Sequence, residues 1–102
     1  MTKDELHYRY RSILTDEYGG VTCNALIVQE EWLGHLQVLL ETIQQYLIDT
    51  PSCSPVTIHE VQSWEDSSGE MSLSFEYAGG DDYVRGLVDF AKESYALLFN
   101  PT

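Results

Sequence analysis

The sequence predicts an α+β fold: helices packed on one face of a small antiparallel sheet, in the order α-α-β-β-α. Three observations point there. Residues 30–48 and 81–98 carry apolar side chains at helical spacing. Met71, Leu73, Phe75 and Tyr77 alternate with Ser72, Ser74, Glu76 and Ala78, the period of a half-buried strand. The polar connection Glu65-Asp66-Ser67-Ser68-Gly69-Glu70 joins that strand to a β-rich stretch before it, as in a hairpin.

Each element has its own signal. Thr2 with Glu5 three residues later is a capping-box pattern, and Leu6, Tyr10, Ile13 and Leu14 give a helix over about 3–17 one apolar face. Gly19-Gly20 should end it. Ala25-Leu26-Ile27-Val28 suits either a short extra strand or the approach to the next helix. In the second helix, 30–48, Trp32, Leu36, Leu39, Ile43 and Leu47 form a stripe that Leu33 and Leu40 widen. Pro51 and Pro55 bracket the loop that stops it. A hairpin then spans 56–77, although Val56, Ile58 and Val61 alternate imperfectly. Gly79-Gly80 breaks the second strand, and Asp81-Asp82 places negative charge at the start of a helix over 81–98. That helix should bury Val84, Leu87, Val88, Ala91, Tyr95 and Leu98, with Gly86 read as a site of close packing.

The 102 residues make a single domain, 1–102, with enough apolar content, 43%, for one core. Charge is the feature that most constrains function. Acidic residues number 17 against 5 basic ones, a net charge of −12. No lysine or arginine lies between Arg11 and Arg85. Such a single-signed field repels nucleic acid and anionic lipid and draws in basic proteins, most strongly at low salt. The other possibility is that the charge only keeps the domain soluble. Seven tyrosines suit a surface that buries area while still hydrogen-bonding.

The stretch Val61-Gln62-Ser63-Trp64, then Leu73-Ser74-Phe75-Glu76-Tyr77, then Gly79-Gly80-Asp81-Asp82-Tyr83-Val84-Arg85-Gly86-Leu87-Val88-Asp89-Phe90-Ala91 resembles a group of small uncharacterised bacterial and prophage proteins. Their pattern is V-K-E-K-F-G-x-L-R-F-Y, a Gly/Asp turn, then G-L-I-x-x-A-E. Glu31-Trp32-Leu33 is similar to a Gly-Trp pair that precedes a helix in that group. The basic K-E-K is replaced here by Gln62, Ser63 and Trp64, and the arginine of L-R-F-Y by Ser74. The group's C-terminal Cys-x-x-Cys has no counterpart. The resemblance implies a retained hairpin-helix scaffold with a changed partner, and it implies no metal function.

Catalytic chemistry finds little support. His7, His35 and His59 share no ligand spacing, and Cys23 and Cys53 form neither a zinc nor a redox motif. Neither Gly-Gly pair is followed by the lysine of a phosphate cradle. No catalytic residue, cofactor or metal is expected. With neither a cationic leader nor a membrane-length apolar run, the expected location is cytoplasmic, with free thiols.

The expectation is a monomeric acidic inhibitor that binds a basic protein, without direct contact to nucleic acid or membrane. One form is an immunity protein set against a basic nuclease-like toxin. Alternatives are a phage or prophage DNA mimic acting on a restriction or CRISPR complex, and a structural or regulatory subunit. The expected binding face is the hairpin and the adjoining helix start. Glu65, Asp66, Glu70, Asp81 and Asp82 would serve there as phosphate-like carboxylates, and Trp64, Tyr77 and Tyr83 as aromatic anchors. The competing patch is Glu30, Glu31 and Trp32.

Overall fold

The computed structural model describes residues 2–14 and 26–100. The expected helix end at Gly19-Gly20, residues 15–17 of the first helix, and Cys23 lie outside the described residues. The elements run α1 (Lys3–Arg9), α2 (Arg11–Leu14), β1 (Leu26–Ile27), a 3-10 turn (Glu30–Trp32), α3 (Leu33–Asp49), β2 (Thr57–Glu65), β3 (Met71–Ala78) and α4 (Asp82–Phe99). The α+β reading is correct.

The first helix starts as its sequence requires. The Glu5 backbone N–H donates to Thr2 Oγ1 at 3.2 Å, and the Thr2 hydroxyl donates to the Glu5 carboxylate at 3.2 Å. It is not one continuous helix, however. Tyr10 departs from helical geometry, with φ −111° and ψ 30°, and its carbonyl accepts the first bonds of α2, from Ile13 and Leu14. The Tyr10 side chain is buried, and its hydroxyl donates to Glu41 on α3 at 2.7 Å. The break thus falls where a buried tyrosine needs a polar partner on another element.

The sheet is mixed rather than antiparallel. Strand order is β1-β2-β3, with β1 parallel to β2 and β2 antiparallel to β3. The reason lies in the crossover: α3 carries the chain back along the sheet between β1 and β2, and such a return forces the next strand to run parallel. The register of the hairpin jumps between Ile58, opposite Tyr77, and Glu60, opposite Glu76. His59 is the extra residue of a bulge. That bulge explains the imperfect alternation, because it puts Ile58 and Val61 on one face despite their odd separation.

Leu6, Tyr10, Ile13, Leu14, Leu36, Leu40 and Ile43 from the helices meet Ile58, Val61, Leu73 and Phe75 from the sheet in one core, with Val84, Val88, Ala91 and Tyr95 of α4. Each large side chain buried there is worth about 1.5–3 kcal/mol relative to exposure. Trp32 belongs to the same core at 2% exposure, with its ring edge-on to Tyr95 at 5.3 Å. Leu98 does not; it is exposed.

Two clasps hold α4. At its start, Gly79 and Gly80 take φ of +84° and +83°, and a Cβ on Gly79 would lie 1.8 Å from the Pro55 carbonyl oxygen. Only glycine fits that approach. The Ser54 hydroxyl donates to the Gly80 carbonyl at 3.1 Å, and the Gly80 N–H donates to the Ser54 carbonyl at 3.3 Å. At its end, the Asn100 side-chain amide pairs with the backbone of Met71, donating to the carbonyl at 2.6 Å and accepting from the N–H at 2.6 Å. Gly86 shows no close packing: it is exposed, and a Cβ there would meet nothing within 4 Å.

Candidate functional site

The hairpin tip is built by one carboxylate. Asp66 Oδ1 accepts from the Ser68 N–H at 2.9 Å, the Ser68 hydroxyl at 2.7 Å and the Glu70 N–H at 2.9 Å. These bonds, the Ser68 hydroxyl foremost, hold the Asp66 carboxyl below its ordinary value. Gly69 supplies the positive φ, +86°, that closes the loop. Asp66 is thus first of all a turn residue, whereas Glu65 and Glu70 beside it stand exposed.

Asp81 has a similar structural duty. Its Oδ1 caps α4 by accepting from the N–H groups of Tyr83 and Val84 at 3.1 and 3.2 Å, and its Oδ2 accepts the Tyr46 hydroxyl at 2.5 Å. The Tyr46 hydrogen bond is the main cause of a lowered Asp81 carboxyl and of a raised Tyr46 hydroxyl. Tyr83 stacks on Tyr46 with ring centroids 4.4 Å apart and stays half exposed. Asp82 points to solvent and pairs with Arg85 at 3.6 Å, the single ion pair among the described residues.

The expected site is therefore not one patch. Trp64 lies on one face of the sheet; Tyr77 is half-buried on the other, edge-on to Phe75 at 5.9 Å. Tyr83 belongs to the start of α4. The tip and the Gly79-Gly80 turn are separated by all of β3, about 25 Å at the usual rise per residue. The competing patch fares no better as an aromatic-anchored site: Glu30 and Glu31 are exposed, but Trp32 is in the core.

A different surface emerges from the bulge. Opposite the core, the hairpin presents Thr57, Glu60, Gln62 and Trp64 from β2 and Ser72, Ser74, Glu76 and Ala78 from β3, none of them buried. Ile27 of β1 extends this face beside Gln62. Trp64 and Ile27 are each 48% exposed. Glu60 stands directly across from Glu76, Gln62 from Ser74 and Trp64 from Ser72. Two carboxylates thus sit on neighbouring strands with their Cβ atoms about 5 Å apart, a repulsive arrangement in isolation. Four residues along β2, about 13 Å away, stands an unburied indole. Hydroxyl and amide groups fill the ground between. Such a face can accept a guanidinium or ammonium at one end and desolvate an apolar side chain at the other. Strict alternation from Val61 would have turned Glu60 outward, but alternation from Ile58 would have turned it inward. Only the bulge decides the matter.

Burial pushes the Cys53 thiol up, the opposite of an activated nucleophile. Burial likewise lowers the His7 imidazole, against the charge of Asp4. Among the described residues no group of three or more His, Cys, Asp or Glu could hold a metal ion, and no helix is long and apolar enough to cross a membrane. Comparison of the chain with protein-family models, curated proteins and solved structures finds no match.

Proposed function

We propose that this protein is a small acidic inhibitor that covers the basic, nucleic-acid-handling surface of another protein, as an immunity protein covers a nuclease-like bacterial toxin. The observation that carries the reading is the Glu60–Glu76 pair on an unburied sheet face that also bears Trp64. Facing carboxylates cost the free protein stability. An arginine laid between them replaces that repulsion with charge-assisted hydrogen bonds, and Trp64 supplies the desolvated contact. Glu65 and Glu70 at the tip steer the encounter from the rim.

The test is capture from a lysate of the source organism by the tagged protein, at about 50 and about 500 mM salt, a change that shortens the Debye length from roughly 14 to 4 Å. The Glu60→Lys/Glu76→Lys variant runs beside the wild type. The expected result is a basic protein retained at low salt, lost from the variant, and progressively inhibited as nuclease when the wild type is titrated in. A nucleic-acid-processing complex as the captured species would shift the reading to a DNA mimic. Association equally fast at both salt concentrations, or undiminished in the variant, would refute electrostatic recognition by this face.

A further inference from the structure

We infer that the helical side of the molecule carries a second docking site, a groove between α3 and α4 that takes a basic amphipathic helix from a partner protein. A mostly apolar cavity of about 330 Å³ opens between the two helices, lined by Trp32, Leu39, Leu87 and Ala91, by the exposed Val38 and Phe90, and by the polar His35, Thr42 and Ser94. The walls are exposed well beyond what a finished surface needs: Val38 is 66% exposed and Phe90 is 70%, and Leu97 prolongs the α4 ridge at 78%. Tyr83, Phe90 and Leu97 recur every seven residues, so they form one ridge along α4. Two ridges flanking an apolar trough are the shape into which a third helix packs.

Charge selects the occupant. α3 carries no lysine or arginine, and the acids Glu31, Glu41 and Asp49 are set along it and its leading turn. On α4, Asp89 and Glu93 fall on the solvent side of the Phe90 ridge by helical spacing, while Arg85, paired with Asp82, and Lys92 lie farther round the helix from the groove. An apolar stripe flanked by lysine or arginine complements both features at once. A second copy of this chain does not. An isologous pairing through this groove would bring each acidic rim against its own like, between molecules of net charge −12. The inference concerns the side opposite the Glu60–Glu76 face, and either can fail alone.

The probe is a peptide of about 18 residues, about 27 Å long as a helix, with leucines at i, i+3, i+4 and i+7 and lysines flanking them. Its controls are a scrambled peptide of the same composition and one with glutamate for every lysine. In a Trp64→Phe background Trp32, which lines the groove, is the one fluorophore of its kind. The expected result is saturable binding at about 10 μM with a shifted Trp32 emission. Phe90→Glu and Val38→Glu should each weaken binding at least about tenfold. Both side chains are mostly exposed, so the fold survives, and Phe90→Ala should weaken binding in the same direction. Glu60→Lys/Glu76→Lys should leave it unchanged. Equal binding of the scrambled peptide, or indifference to Phe90→Glu, would overturn the inference. So would a dimer of the free protein that Phe90→Glu dissolves, because the occupant would then be a second copy.

Discussion

Replacing Glu76 by lysine tests whether the facing carboxylates are coupled as the register implies. Two unit charges about 5 Å apart in water interact by about 0.8 kcal/mol. At about 0.15 M ionic strength, screening leaves roughly half of that. Turning the repulsion into attraction therefore swings stability by about 0.9 kcal/mol. With an unfolding entropy of about 2.1 cal/mol/K per residue, this raises Tm by about 4 °C for a chain of this length. The gain should depend on salt, about 6 °C at about 20 mM and about 2 °C at about 500 mM. Thermal melts followed by circular dichroism read it directly. Glu70→Lys makes the same change in net charge at the exposed hairpin tip, and so measures the general relief of self-repulsion. If Glu76→Lys stabilises no more than Glu70→Lys, the two glutamates do not feel each other and the reasoning fails. A real gain in stability, combined with lost partner binding, is the trade-off expected of a functional surface.

Gly79→Ala and Gly69→Ala start from nearly the same φ, +84° and +86°, and differ in surroundings. The left-handed conformation costs alanine about 1–2 kcal/mol at both. Only Gly79 adds a collision with backbone, so Gly79→Ala should lose more than about 3 kcal/mol in urea unfolding; equal losses would contradict the Pro55 contact. Gly86→Ala, in open space on an exposed helix face, should stabilise by about 1 kcal/mol, and a loss would mean that another surface covers it. For Asp81, whose ordinary value is 3.8 and whose folded value is lower, the linked stability is present above the ordinary value and lost as pH falls through the folded one. Asp81→Asn should flatten the loss of stability between about pH 5 and pH 2, and an unchanged acid limb would remove Asp81 from the argument.

The helices and the hairpin were legible because burial of one face writes a period into the sequence. Leu6, Tyr10, Ile13 and Leu14, and the stripe of α3, went where their spacing sent them. What periodicity could not show was anything decided by a partner on another element. The residue at the break, Tyr10, finds its hydrogen-bond partner in Glu41, 31 residues away, and the parallel β1 depends on the return path of α3. Trp32 carries two signals, its place in the α3 stripe and its place after two glutamates, and its burial in the core follows the first. Leu98 keeps the helical spacing at the end of α4, but it is Phe99 that packs on the core there, its ring 4.6 Å from that of Tyr95, and Leu98 stays exposed. The carboxylates of the expected site were found by their density, and density does not tell a cap or a turn from a free charge. Asp66 and Asp81 serve the backbone; Glu60, hidden by the bulge, does not.

The amide of Asn100 presents to Met71 the same donor and acceptor that a neighbouring peptide group would, so the first rung of β3 is filled by a side chain. The chain from residue 71 to residue 100 is thereby closed into a ring of strand, turn and helix. Strand ends and helix ends are ordinarily where a protein frays first. Here the two ends are tied to each other by two hydrogen bonds, so opening either end has to break both. The amide of Met71 should accordingly exchange with solvent no faster than the last turn of α4, making this ring a single cooperative opening unit.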